Sequence, residues 1–152
     1  MTFTTERAVE LRGVRVEADG AEGVVTLLRD VDLRLDAPRV AVVGENGSGK
    51  STLARAIAGL ADVVAGEVDV HGVDAVRDVK SLRRVVGFVF ANPAAQMVMP
   101  TVREDVELTV KALRGPDGRR LPKAEVAARV DAALAEHRLT ELADRPCLAL
   151  SS

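Results

Sequence analysis

Apolar and polar residues first alternate along this chain. Val9, Leu11, Val14 and Val16 lead into a turn-rich segment at 18–23, and Val31, Leu33 and Leu35 then recur at every second position. A period of two puts alternate side chains on one face of a strand, so this region predicts two strands joined by a hairpin-like connection. Pro38 ends the second strand. Residues 40–43 form a short continuous apolar run, the pattern of a strand buried on both faces, and a glycine-rich turn follows at 44–49. From 50 to 60 the spacing changes to helical, with Leu53, Ala54, Ile57, Ala58 and Leu60 on the apolar side. Residues 66–72 alternate again and close on Gly72, residues 78–83 predict one short helical turn, and 85–90 is a second candidate buried strand.

After Pro93 the character changes. Residues 101–113 and 123–138 predict helices, the second with Val126, Val130 and Leu134 on one face, and 115–120 is a polar loop between them. Thr101 and Glu104 have the spacing of a capping box, in which hydroxyl and carboxylate satisfy each other's exposed backbone N–H groups. Pro122 suits the first turn of the second helix. The first part of the chain therefore reads as mostly β with one long helix, and the last third as helical, an α/β pattern.

Composition adds exclusions. The chain has 152 residues, 47% of them hydrophobic and 29% charged, with a net charge of −2, one cysteine, three phenylalanines and neither tyrosine nor tryptophan. Such a chain buries a core without disulfide or metal staples. The near balance of charge, without runs of one sign, does not point to nucleic acid. The apolar runs at 39–44 and 85–91 are far shorter than the roughly 20 residues that span a bilayer, and the polar segment 4–7 is unlike a secretion signal. A cytoplasmic location without a membrane span of its own is the expectation.

Gly44-Glu45-Asn46-Gly47-Ser48-Gly49-Lys50-Ser51 fits the phosphate-loop pattern G-x-x-x-x-G-K-[ST], between a buried-strand run and a helix. Glycines let the backbone turn sharply and approach a polyphosphate, so that successive N–H groups converge on its oxygens at the positive end of the next helix. Lys50 would reach the β and γ phosphates as a point charge, and Ser51 would place its hydroxyl on the Mg²⁺ bridging them. With Thr52, these residues form the expected nucleotide-binding set, and Ser51 is the expected metal ligand. The alternative is a glycine-rich turn that fits by chance. That is on the order of one in a hundred for a chain this long at average glycine usage, and the flanking elements lower it further. The loop itself does not distinguish ATP from GTP.

Together with LRDVDLRL at 28–35, the phosphate-loop segment at 42–60, GEVDVHG at 66–72, VGFVFANPAAQMVMPTVREDV at 86–106 and LADRPCLALSS at 142–152, the sequence resembles the ATP-binding subunits of ABC transporters. NP-x-x-Q followed by PTV-x-ED, from Asn92 to Asp105, favours the energy-coupling-factor group, which drives uptake of cobalt, nickel, biotin and other vitamins. The resemblance implies the α/β fold of the ABC type of phosphate-loop ATPase, with an N-terminal antiparallel β layer, part of a parallel core sheet and a helical subdomain at the C-terminal end. Residues 1–100 would be the front of the nucleotide-binding domain, and 101–152 the start of the helical subdomain. Leu150-Ser151-Ser152 looks like the first residues of the signature motif. The Walker B aspartate, catalytic glutamate and switch histidine of the family have no counterpart within these residues, so no catalytic residue is assigned.

The implied function is that of an ATP-driven motor subunit, binding ATP and Mg²⁺. It would be peripheral on the inner face of the cell membrane, paired with a second ATP-binding subunit as a homo- or heterodimer and with a transmembrane transporter subunit. The implied result is binding without multiple-turnover hydrolysis by these residues alone. The family strand carrying Walker B lies between the phosphate-loop strand and the strand ending at Phe90, so its absence predicts unpaired edges and marginal stability. The second reading is a truncated or degenerate module that binds Mg·ATP weakly and does not hydrolyse it. A standalone phosphoryl-transfer enzyme ranks third.

Two positions depart from the family pattern. Where an aromatic ring stacks on adenine the chain has Ala18, a loss worth about 1–3 kcal/mol by analogy with other base–aromatic stacks; Phe3 substitutes only if the N-terminus folds back. Where a Q-loop glutamine follows Phe90 the chain has Ala91, with Gln96 five positions on. Gln96 has two readings of equal weight, contact with Mg²⁺ or the attacking water, and a polar loop residue facing a partner subunit. His71 and His137 stand without ligand partners at metal-site spacing and read as surface or strand-end residues. Glu104 and Asp105 read as a helix start, Arg119 and Arg120 as a solvated loop, and Cys147 carries no assigned chemistry.

Overall fold

The alternating segments do pair. The computed structural model describes residues 9–92 and 96–150; Phe3, Pro93, Ser151 and Ser152, singled out in the sequence, lie outside them. Strand β1 (Val9–Gly20) and strand β2 (Gly23–Leu35) form an antiparallel hairpin closed by Ala21 and Glu22. Strand β3 (Val63–Val70) pairs antiparallel with the other edge of β1, and the two-residue strand β4 (Val73–Asp74) follows it, giving the order β2-β1-β3-β4. His71 begins the β3–β4 turn with φ 56°, a conformation histidine adopts more readily than most side chains.

The chain divides into two compact units, Met1–Phe88 and Val89–Ser152. In the first, Leu11, Val14 and Val16 of β1 and Val68 and Val70 of β3 are buried with Ala56 of helix α1 (Lys50–Ile57) and Leu82 of the one-turn helix α2 (Val79–Leu82). Asp78 caps α2, its carboxylate accepting from Ser81 N at 3.0 Å. Those hydrogen bonds, led by the Ser81 hydroxyl, hold the Asp78 pKa below the usual carboxylate range. Full burial of each such valine or leucine is worth about 1.5–3 kcal/mol, so one face of an antiparallel sheet carries this unit.

The hairpin register shifts at three places, the last of them between Val16 and Glu17. Val16 pairs with Leu28 and Glu17 with Thr26, so Leu27 is the extra residue of a β-bulge. The doublet Leu27-Leu28 breaks the alternation at that point.

Three expectations need correction. Residues 40–43 and 85–90, predicted as buried strands of a parallel core sheet, form no strand among the described residues. Val43 is 88% and Val89 91% exposed. A strand apolar on both faces is stable only with ladder partners beside it and cover above and below, and the described residues supply no ladder partners here. Helix α1 stops at Ile57 rather than continuing to Leu60. Gly59 takes φ 65°, and Gly59 N and Leu60 N bond back to Ala56 O and Arg55 O at 3.1 and 2.8 Å, a Schellman ending. Any side chain at position 59 would also meet Leu82, whose Cδ2 lies 2.8 Å from where a Cβ would sit.

The second unit is a helical pair. Helix α3 (Val102–Ala112) and helix α4 (Lys123–Glu136) bury Val102 and Val110 against Val126, Val130 and Leu134, with Ala143 and Cys147. The capping box forms: Thr101 Oγ1 accepts from Glu104 N at 3.3 Å, and the Glu104 carboxylate accepts from Thr101 N at 3.1 Å. Val102 N and Arg103 N donate to Arg145 O and Ala143 O, so the C-terminal segment also satisfies the start of α3. Helix α4 ends two residues before its predicted limit. Arg138, at φ 57°, closes a second Schellman ending, with Leu139 N donating to Leu134 O at 2.7 Å.

Candidate nucleotide-binding site

The glycine-rich turn sits between β2 and α1. Gly47 and Gly49 have φ of 82° and 88°, conformations that a side chain makes costly, and Gly49 is the N-cap of α1. A Cβ on Gly49 would lie 2.9 Å from Leu28 Cδ2, so glycine there also lets β2 pass close to the loop. The turn is closed by Ser48 N donating to Glu45 O at 3.2 Å, and the first helical bond runs from Leu53 N to Gly49 O at 2.8 Å. Gly49 has no side chain with which to cap the helix. The first-turn N–H groups of Lys50, Ser51 and Thr52 therefore face outward at the positive end of the helix dipole, with no acidic residue in that turn.

The Lys50 ammonium lies over the loop. Nζ donates to Gly44 O at 2.9 Å and Glu45 O at 2.5 Å, with Ser48 Oγ at 3.4 Å. This holds a cation over the carbonyl oxygens of the loop. Asn46, Gly47, Gly49, Lys50, Ser51 and Thr52 line a cleft of about 370 Å³ together with Leu27 of β2. Of the nine expected residues, six thus share the cleft, while Gly44, Glu45 and Ser48 hold the lysine. Ser51 presents a hydroxyl in the same cleft. Among the described residues no group of three or more His, Cys, Asp or Glu side chains is placed to hold a metal. The donors present fit a Mg²⁺ held by one hydroxyl, water and the phosphates of its ligand, which is how Mg²⁺ commonly binds.

Gln96 belongs to the second unit, where its side-chain oxygen accepts from Phe90 N at 3.3 Å. The loop after it is tied to α3 by Asp105, whose Oδ1 accepts from both Val98 N and Met99 N at 3.0 Å. That role of Asp105 goes beyond a helix start; its only sequence signal is a carboxylate in the first turn, where an unpaired preceding loop can reach it. Leu27 was also not expected in the cleft, and the doublet at 27–28 is the signal that could have found it. Cys147 is buried, and burial pushes its thiol pKa up. His137 caps the end of α4.

With this geometry in place, comparison with known proteins defines the class. Residues 28–152 match the ABC transporter family, and the chain belongs to the ATP-binding proteins of that family. It is similar to the energy-coupling factor transporter ATP-binding protein EcfA1 of Symbiobacterium thermophilum, 44% identical over 132 residues, covering 82% of this chain and 44% of the relative. It is 37% identical over 145 residues to the biotin transport ATP-binding protein BioM of Rhodobacter capsulatus, covering 95% of this chain and 58% of that one. Among solved structures it is similar to CbiO1 of Clostridium perfringens, part of the ABC transporter complex CbiONQ. The TM-score is 0.70 at 26% identity, over 94% of this chain and 55% of that one. The chain spans about half the length of the curated relatives it matches. No helix among the described residues is long and apolar enough to cross a membrane.

Proposed function

We propose that this chain supplies the phosphate-binding part of the ATP-binding motor of an uptake transporter whose cargo is a vitamin or metal ion such as biotin or cobalt, biotin being the cargo named for one of its relatives. In this reading Gly47, Gly49 and the first-turn N–H groups of α1 cradle the phosphates, Lys50 neutralises the β and γ oxygens, and Ser51 and the phosphates hold Mg²⁺. A second ATP-binding subunit, identical or not, and a transmembrane subunit complete the machine at the inner face of the membrane. Residues 1–100 belong to its nucleotide-binding part and 101–152 to the helical subdomain that faces a partner. Gln96 lies on the loop leading into that subdomain and would contact either the metal site or a partner.

The observation that carries the proposal is the convergence of Lys50 Nζ, two positive-φ glycines and an open helix N-terminus on one cleft. Calorimetry with Mg·ATP tests it. Replacing a charge-assisted contact worth about 1.5–3 kcal/mol should make Lys50→Ala bind at least tenfold more weakly, with unchanged circular dichroism. Equal affinity in the two proteins would overturn the assignment.

A second reading is favoured by the runs at 40–43 and 85–90, which form no strand among the described residues: a module that binds nucleotide weakly and without turnover. Steady phosphate release from the 152-residue chain, abolished by Lys50→Ala, decides against it.

A further inference from the structure

The second unit carries a group of cations that none of the phosphate chemistry uses. From the end of α3 to the start of α4 the chain reads KALRGPDGRRLPK (111–123), five basic residues against one acidic on a chain of net charge −2. Backbone bonds give this stretch a fixed shape. Gly115 N donates to Arg119 O and Gly118 N to Gly115 O, both at 2.9 Å, and the Asp117 carboxylate accepts from Arg119 N at 2.9 Å. Gly118 takes φ 74°, which closes the turn without strain. The result is a small hairpin whose antiparallel bridge sets Arg114 directly opposite Arg120, on one face. Like charges so placed oppose the pairing. Carboxylates reach only the flanks, where Lys111 pairs with Glu107 at 3.0 Å and Arg119 with Asp117 at 3.8 Å. Arg114 Nη1 lies against the last carbonyls of α3, with Leu113 O at 3.1 Å, which positions the guanidinium and leaves its charge uncompensated. Among the described residues Arg114, Arg120 and Lys123 form no ion pair, and all three are exposed, as is Leu113.

From this arrangement we infer that the hairpin between α3 and α4 is a docking surface for the anionic phospholipid headgroups of a membrane. Charge complementarity carries the choice. A guanidinium meets a phosphate with a fork of N–H donors, and Arg114 and Arg120 present two such forks together to a surface on which phosphates are spread in a plane. Five Lys and Arg side chains within residues 111–123 also match the density of the polybasic segments that bind negative leaflets. The exposed leucine beside Arg114 is an apolar group that a headgroup layer accommodates, and the hairpin has no aromatic ring to stack on a nucleic-acid base. The membrane as occupant rests on the transporter reading above. The surface itself is separate from the nucleotide site, since no residue of the hairpin lines the cleft at the phosphate loop.

The test is co-sedimentation of the 152-residue chain with vesicles of phosphatidylcholine alone, and of phosphatidylcholine with about 30% phosphatidylglycerol, at about 0.1 M salt. The anionic vesicles should bind at least tenfold more of the chain, and about 0.5 M salt should remove the difference. Each Lys or Arg near a negative leaflet is worth a factor of about five, so Arg120→Gln should lower the bound fraction roughly fivefold and Arg120→Gln with Lys123→Gln about twentyfold. Arg77→Gln, which removes an equally exposed cation from the first unit, should leave binding unchanged. Equal binding to the two kinds of vesicle would overturn the proposal, as would unchanged binding by the double variant. Poly-glutamate or duplex DNA bound more tightly than the anionic vesicles, with the same dependence on Arg120 and Lys123, would overturn the choice of lipid. Vesicle binding absent while Mg·ATP still binds removes the docking surface alone, and the converse removes the phosphate-loop reading alone.

Discussion

Asp78 shows how much one exposed carboxylate can organise. It caps α2 through Ser81, and its pKa is lowered by that partnership. A depressed folded-state pKa contributes stability that is present above the unfolded value of about 4 and lost as pH falls through the folded one. The Ser81 amide signal in nuclear magnetic resonance should therefore hold steady above pH 5 and shift below about pH 4. Asp78→Asn, which still accepts but does not titrate there, should flatten that response. A Ser81 signal that moves equally in both proteins would show that the cap is not the titrating contact. At the same scale, the phosphate-loop residues were legible from sequence because their spacing is itself the chemistry. Leu27 and Asp105 were not, since each acts only after a register slip or a folded loop brings it into place.

At the scale of the element, boundaries follow from caps more than from hydrophobic period. The apolar spacing of 50–60 and 123–138 runs past both helix ends, and it is the left-handed residues Gly59 and Arg138 that stop them. Gly59 adopts its conformation freely, whereas Arg138 bears a side chain in a region that costs an L-residue roughly 1–2 kcal/mol. Arg138→Gly should accordingly stabilise the helical unit by about 1 kcal/mol, read as a higher urea midpoint at unchanged slope. In the opposite direction, Thr101→Ala removes a formed capping box and should cost about 1 kcal/mol in the same experiment. The antiparallel strands and both long helices were readable because each carries its period on its own residues. The runs at 40–43 and 85–90 carry an equally clear pattern, yet a strand apolar on both sides is defined by neighbours, and pattern alone does not provide them.

For the whole molecule the open question is what those neighbours do to solution behaviour. Val43 and Val89, 88% and 91% exposed in segments that form no strand among the described residues, invite pairing between chains. The 152-residue chain should self-associate as its concentration rises, and Val43→Lys should reduce the associated fraction severalfold in sedimentation velocity, because a buried lysine opposes edge pairing. A monomer at all concentrations in both proteins would contradict this.

The hairpin also sets an order of events during folding. Strands β1 and β2 are joined by two residues and can close in about 1–10 μs, whereas β3 must reach β1 across the segment that contains the phosphate loop and α1. Closing that long loop costs entropy before its contacts repay it. The loop with its outward N–H groups is therefore the part assembled last, and a polyphosphate would act on the slow step, accelerating closure of β3 rather than formation of the hairpin.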